Sequence, residues 1–291
     1  MPAGYCPDCF KGTIHDGTPR GKMETIHGIS TYVATPTEGT PAPAAAILFI
    51  TDIFGMKLVN NKLLADKYAD DAGCRVLMPD VVPGGGATLA LVDYMDTMNT
   101  PVPWYNPLSQ ARRAVANLQA ASVMVPLIVR TLSMPTKILA YTRAVKAEMP
   151  EGGRVAVAGF CWGGYQSIQL SQQPAVDGGN TPIVDAHFVA HPSGVNVPAA
   201  IVASSAKFHV PTSVAIGDRD LMVPKSAIPP LEKSLADVFG NDKNRYEVVL
   251  YEGCTHGFAV RADPKQEIED KGAIEAAAQA ARWFRRHLNL E

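Results

Sequence analysis

The chain carries almost no net charge, −2 over 291 residues, and charged residues make up only 19% of it. Without a broad basic field to hold a phosphate backbone, nucleic acid is a poor partner. At 47% hydrophobic residues the composition is also too apolar for a disordered chain. Cysteines are few and odd in number: Cys6, Cys9, Cys74, Cys161 and Cys254. Their scatter argues against a disulfide framework and for reduced thiols. The opening MPAGYCPDCFKG lacks the apolar core of a secretory leader, and the closing RHLNLE carries no recognised address. The expectation is a soluble cytoplasmic protein that partners neither nucleic acid nor membrane. Cys6 and Cys9 have no second C-x-x-C or C-x-x-H beside them, so no metal is expected there. The triplet Gly84-Gly85-Gly86 lacks the lysine and Ser/Thr of a phosphate loop and reads as a flexible turn. Internal repeats and low-complexity tracts are lacking too.

What is present is an alternation of strand and helix signals. Residues 1–20, rich in Gly, Pro and Thr, read as an arm, and residues 21–291 as one domain. ETIHGISTYVATP predicts an antiparallel edge pair or hairpin, and AAILFI, apolar without a break, a strand buried on both faces. NNKLLADKYADDAG predicts a helix stopped by Gly73, followed by a strand at RVLMPD. The Gly- and Pro-rich stretch from Val81 to Pro107 is long for a connection and suggests a lid or pocket wall. Helical periodicity resumes at LSQARRAVANLQAASVM, with Ala111, Val115, Leu118 and Ser122 on one face, and Pro126 and Pro135 are expected to kink or divide the helical stretch that runs on to Lys146. RVAVAG, VDAHFVAH, HVPTSVAIG and RYEVVLY predict four more strands. A last helix from about Gln266 to Leu288 aligns Ile274, Ala277, Ala278, Ala281, Phe284 and Leu288. The fold class is α/β, a mostly parallel sheet with helices on both faces, whose site lies beyond the strand C-termini.

Gly159-Phe160-Cys161-Trp162-Gly163 fits G-x-C-x-G, the cysteine form of a nucleophile elbow. A sharp strand-to-helix turn needs small neighbours, and it lifts one side chain above the sheet, where the helix N-terminus and the Trp162 amide favour negative charge. A thiol needs a base, and the base an orienting acid. The order nucleophile, acid, histidine is met by AIGDRDLMVP and then YEGCTHGFAV, which offer Asp218 or Asp220 and His256. His187, His191 and His209 compete for the base role, but of these only His191 falls at a strand C-terminus.

Together GFCWGG, GDRDLMVP, THGF and LFITDIFG resemble the dienelactone hydrolase family, also called carboxymethylenebutenolidases, from about Ile47 to Leu288. The resemblance implies an α/β-hydrolase fold, no cofactor and no metal. It implies Cys161 as nucleophile, His256 as general base and Asp220 as the triad acid, with Ile53 and Trp162 amides as the oxyanion hole. TDIFG is similar to the family segment that places a carboxylate near the thiol. Here that residue is Asp52, one methylene shorter than the glutamate of several members. Arg261 resembles the family arginine that holds a substrate carboxylate, and Trp104, Tyr105 and His191 are candidate pocket residues. The implied activity is hydrolysis of a small ester or lactone, with a carboxylesterase or thioesterase, a non-catalytic binding module and a thiol-redox sensor as alternatives, in a monomer or homodimer.

Overall fold

The computed structural model describes residues 15–99, 102–194 and 196–290, so Cys6 and Cys9 lie outside the described residues. Eight strands form one sheet in the order β1-β2-β4-β3-β5-β6-β7-β8. The strands are β1 (Lys22–Ile26), β2 (Ile29–Ala34), β3 (Ala45–Ile50), β4 (Arg75–Pro79), β5 (Arg154–Phe160), β6 (Ala186–Ala190), β7 (Thr212–Gly217) and β8 (Tyr246–Tyr251). β1 and β2 are an antiparallel edge hairpin whose turn residues, His27 and Gly28, both have positive φ, as a tight two-residue turn requires. From β3 to β8 every pairing is parallel.

Alternation along the strands divides the core in two. On β5, Ala156, Ala158 and Phe160 pack in a cluster with α1 (Val59–Ala72) and the C-terminal helix α9 (Glu267–His287). Val155 and Val157 point the other way, toward α4 (Met134–Ala147). The helices between are α2 (Ala90–Asn99), α3 (Pro107–Thr131), α5 (Trp162–Ser171), α6 (Val197–Phe208), α7 (Ile228–Phe239) and the single turn α8 (Phe258–Arg261). The helices α2, α6 and α7 and the turn α8 were not among the sequence expectations; α2 lies inside the stretch from Val81 to Pro107 expected as a lid or pocket wall, and α6 and α7 are masked by Pro at their first turns and flanking strand-like runs.

Three local expectations are corrected. Pro126 does not break α3; it lies on the exposed side, where water can take the carbonyl freed by its missing N–H, and the chain divides at Leu132 and Ser133 instead. The α3 face of Ala111, Val115, Leu118 and Ser122 looks outward, while Ala116, Ala120 and Leu127 are buried. On α9, Ile274 is exposed and Ala276, Ala280 and Trp283 take its place in the core. Of the described helices, α3 is long and apolar enough to cross a membrane by length and composition.

Candidate active site

Strand register gathers the site. Ile50 pairs with Gly159, so the turn after β3 lies beside the elbow, and Phe160 pairs with Ala190, which brings His191 to Ser193 alongside. Gly217 pairs with Tyr251, which brings the acid-bearing loop beside the histidine-bearing one. All these segments leave the C-terminal ends of parallel strands.

Cys161 stands between β5 and α5 with φ 52° and ψ −118°, a strained backbone for a residue with a Cβ, at a cost of about 1–3 kcal/mol. The glycines around it are there for contact. A Cβ at Gly163 would sit 2.3 Å from the carbonyl oxygens of both Ile50 and Thr51, and one at Gly159 would sit 2.2 Å from Ser167 Oγ. Because backbone cannot yield as a side chain can, Gly163→Ala is expected to cost at least ~2 kcal/mol of stability, read from the denaturant midpoint. An unchanged midpoint would mean that the elbow is looser than its contacts imply.

The thiol is 9% exposed, and its Sγ lies 3.0 Å from Ser193 Oγ. Burial by itself would push the thiol pKa up, but the charge of His256 and a hydrogen bond with it outweigh this, and the thiol ends below its ordinary value. His256 responds in the opposite sense. Burial would lower its pKa, yet the charges of Asp220 and Cys161 raise it to about 10, so each member of the pair favours the charged form of the other. His256 Nδ1 is 3.0 Å and 3.1 Å from the two carboxylate oxygens of Asp220. Asp220 Oδ1 in turn accepts the Met222 amide at 2.8 Å, which fixes the carboxylate. Asp218 goes elsewhere, accepting the Gly253 amide at 2.7 Å and bracing the turn after β8. The histidine loop is also tied from behind, since Thr255 donates its hydroxyl to the buried Glu269 of α9 at 2.6 Å.

Asp52 is fully buried, and its Oδ1 accepts the Phe54 amide and Asn61 Nδ2, each at 3.1 Å. Its Oδ2 faces Arg261 Nε at 3.5 Å. Burial raises its pKa, against the opposing charge of Arg261, and it reaches Cys161 only through its charge. Arg261 is buried over the Phe54 ring, 5.1 Å from its centroid, and its Nε and Nη1 have no hydrogen-bond partner. Among the described residues neither the Ile53 nor the Trp162 amide donates to another group. The triglycine is not a loose turn: a Cβ on Gly86 would lie 1.9 Å from the Phe54 carbonyl oxygen, and Ala87 N donates to Ile53 O at 2.8 Å. The loop thereby holds the Ile53 carbonyl and packs against the Phe54 backbone.

Three expected pocket residues lie differently. His191 is wholly buried, its ring 5.2 Å from that of His256 and 5.9 Å from Phe258, so it packs against the His256 ring and does not line an open surface. Burial first, then the charge of His256, holds its pKa well below normal and keeps it neutral. Trp104 and Tyr105 are 86% and 72% exposed, ring against ring, which does not fit the walls of an enclosed pocket. Sequence reasoning missed Ser193, Asn61 and Glu269. Only Ser193 carried a signal, a Pro-Ser-Gly turn at a strand C-terminus.

The dienelactone hydrolase family model matches residues 29–288. The chain belongs to the dienelactone hydrolase family. Among its curated relatives, Dienlactone hydrolase 1 of Gibberella moniliformis is 28% identical, over 94% of this chain and 92% of the relative. Hydrolase pyvD of Aspergillus violaceofuscus is 26% identical, over 99% and 98%. A carboxymethylenebutenolidase homolog of Xenopus tropicalis is 24% identical, over 98% and 97%. Among solved structures, TT1662 of Thermus thermophilus superposes with a TM-score of 0.53 at 16% identity, covering 91% of this chain and 98% of that one, which shows the shared α/β-hydrolase fold. As a family member the protein is a hydrolase of the ester- and lactone-cleaving kind.

Proposed function

We propose that this dienelactone hydrolase family member cleaves a small activated ester or lactone through an acyl-thioester on Cys161. The observation that carries the reading is the thiol beside a histidine whose other nitrogen is held by Asp220, at a helix N-terminus above the sheet. Cys161 Sγ attacks the carbonyl carbon, and the negative charge moves to the carbonyl oxygen, where the Ile53 and Trp162 amides stabilise it by about 3 kcal/mol per donor. The ester C–O bond breaks, and His256 gives its proton to the departing oxygen. The neutral imidazole then takes a proton from water, the hydroxide adds to the thioester, and the C–S bond breaks to restore thiolate and imidazolium. Asp220 keeps the His256 ring in the tautomer and orientation that both transfers need.

A thiolate is a good leaving group, so the tetrahedral intermediate collapses backward unless the departing oxygen is also a good one. That favours enol-lactones, aryl esters and thioesters over amides. Arg261, buried with its Nε paired to Asp52 and its Nη1 without a hydrogen-bond partner, supports a carboxylate on the substrate. A thiol nucleophile also suits a reducing, cytoplasmic setting. The test is intact-protein mass spectrometry after brief exposure to activated lactones and aryl esters. An acyl adduct is expected on the native chain, a slower-forming but persistent one on His256→Ala, and none on Cys161→Ala. Neither adduct nor turnover across the panel would leave a ligand-binding module instead.

A further inference from the structure

The outward face of α3 is ordered in a way that solvent does not require. Among the exposed positions of α3 and its C-cap, one series of apolar or small residues, Leu108, Ala111, Val115, Leu118, Ser122, Val125, Val129 and Leu132, recurs at alternating steps of three and four, a heptad seam about 36 Å long. Its large members are 53–76% exposed. The helix carries no acidic residue, and the two small seam positions, Ala111 and Ser122, are not spaced evenly about its middle.

We propose that α3 pairs antiparallel with the α3 of a second copy of this chain, about a two-fold axis level with Ala120. Antiparallel coiled coils set an a position of one helix against a d position of the other. With this axis every seam residue finds a partner. Leu108 meets Leu132 and Val115 meets Val125. The small Ser122 receives the large Leu118, and Ala111 receives Val129. The two-fold repeats each layer, so the interface is isologous and closes at two subunits. Parallel pairing would instead oppose Ser122 to Ser122 and Ala111 to Ala111, leaving two thin layers beside a crowded Leu118 pair.

Area and composition agree with this occupant. The seam, Ile128 and the exposed rings of Trp104 and Tyr105 present on the order of 1,000 Å² per protomer. A standard interface takes ~800 Å² from each partner. Ala121, beside the axis, lets the two backbones approach closely. A lipid surface would be indifferent to the alternation of large and small layers, which is why the second copy is favoured.

The experiment is sedimentation velocity of the full chain at tens of micromolar, with Leu118→Glu and Val125→Glu as variants and aryl-ester turnover as the check on folding. The native chain is expected at twice 31.1 kDa. Each glutamate, a charge forced into a dry seam, is expected to raise the dimer dissociation constant at least ~100-fold while turnover stays unchanged. Register is read from oxidised single-cysteine variants against the unsubstituted chain. Ala121→Cys should cross-link to itself across the axis and Leu108→Cys should not. A monomeric native chain, a dimer indifferent to both glutamates, or self-linking of Leu108→Cys overturns the proposal. So would a monomer that binds anionic vesicles and loses them in Leu118→Glu, which would assign the face to lipid.

Discussion

Cys161→Ala is expected to lower kcat/KM for an activated lactone by roughly 10⁴-fold or more, and Asp220→Asn by a similar factor. The first removes the attacking atom. The second keeps the shape of the carboxylate but removes the charge that His256 Nδ1 faces at 3.0 Å, so the imidazole loses both its tautomer and its stabilised cation. Because the three groups act as a unit, the double variant should be little worse than either single one. Asp218→Asn is the control: its carboxylate braces the Gly253 amide, and turnover should fall by less than about ten-fold. If Asp218→Asn proved the more damaging change, the acid would have to be reassigned.

The second large effect is on the reactivity of the thiol itself. His256 lowers the Cys161 pKa against both burial and the charge of Asp52, so native alkylation by iodoacetamide should persist as pH falls below the ordinary thiol range. The sign is set by which form each group favours. The thiolate is lost when pH falls through the depressed thiol value, and the imidazolium is lost when pH rises through about 10. The two limbs belong to the coupled pair and not to either residue alone. In His256→Ala burial and the charge of Asp52 are opposed only by the Ser193 hydrogen bond, so the thiolate loses its main support and alkylation at neutral pH should slow at least ~30-fold. Equal alkylation rates in the two proteins near neutrality would show that His256 does not ionise the thiol.

Much of the site was legible because its rules are local. An elbow needs glycines wherever backbone crosses backbone, and Gly159 and Gly163 announce that crossing before any coordinates do. The strands were legible for the same reason, since burial on both faces demands unbroken apolar runs such as AAILFI. Helical faces were less so. Periodicity says that α3 has an apolar stripe, but the stripe of Val115 and Leu118 faces out while Ala116 and Ala120 face in.

By itself, then, the sequence determined the parallel α/β architecture, the cysteine elbow and the chain order of thiol, acid and histidine. These follow from backbone sterics and from which residues can be buried, both readable in short windows. The resemblance to the family already implied Asp220 in place of Asp218, and its carboxylate lies 3.0 Å from His256 Nδ1; only the tertiary structure decided that Arg261 is buried against Asp52 and that Ser193 stands 3.0 Å from the thiol. Those outcomes depend on how loops from separate strands meet at the sheet edge. Which side chains face one another there is set by strand register across the sheet, which no local pattern encodes.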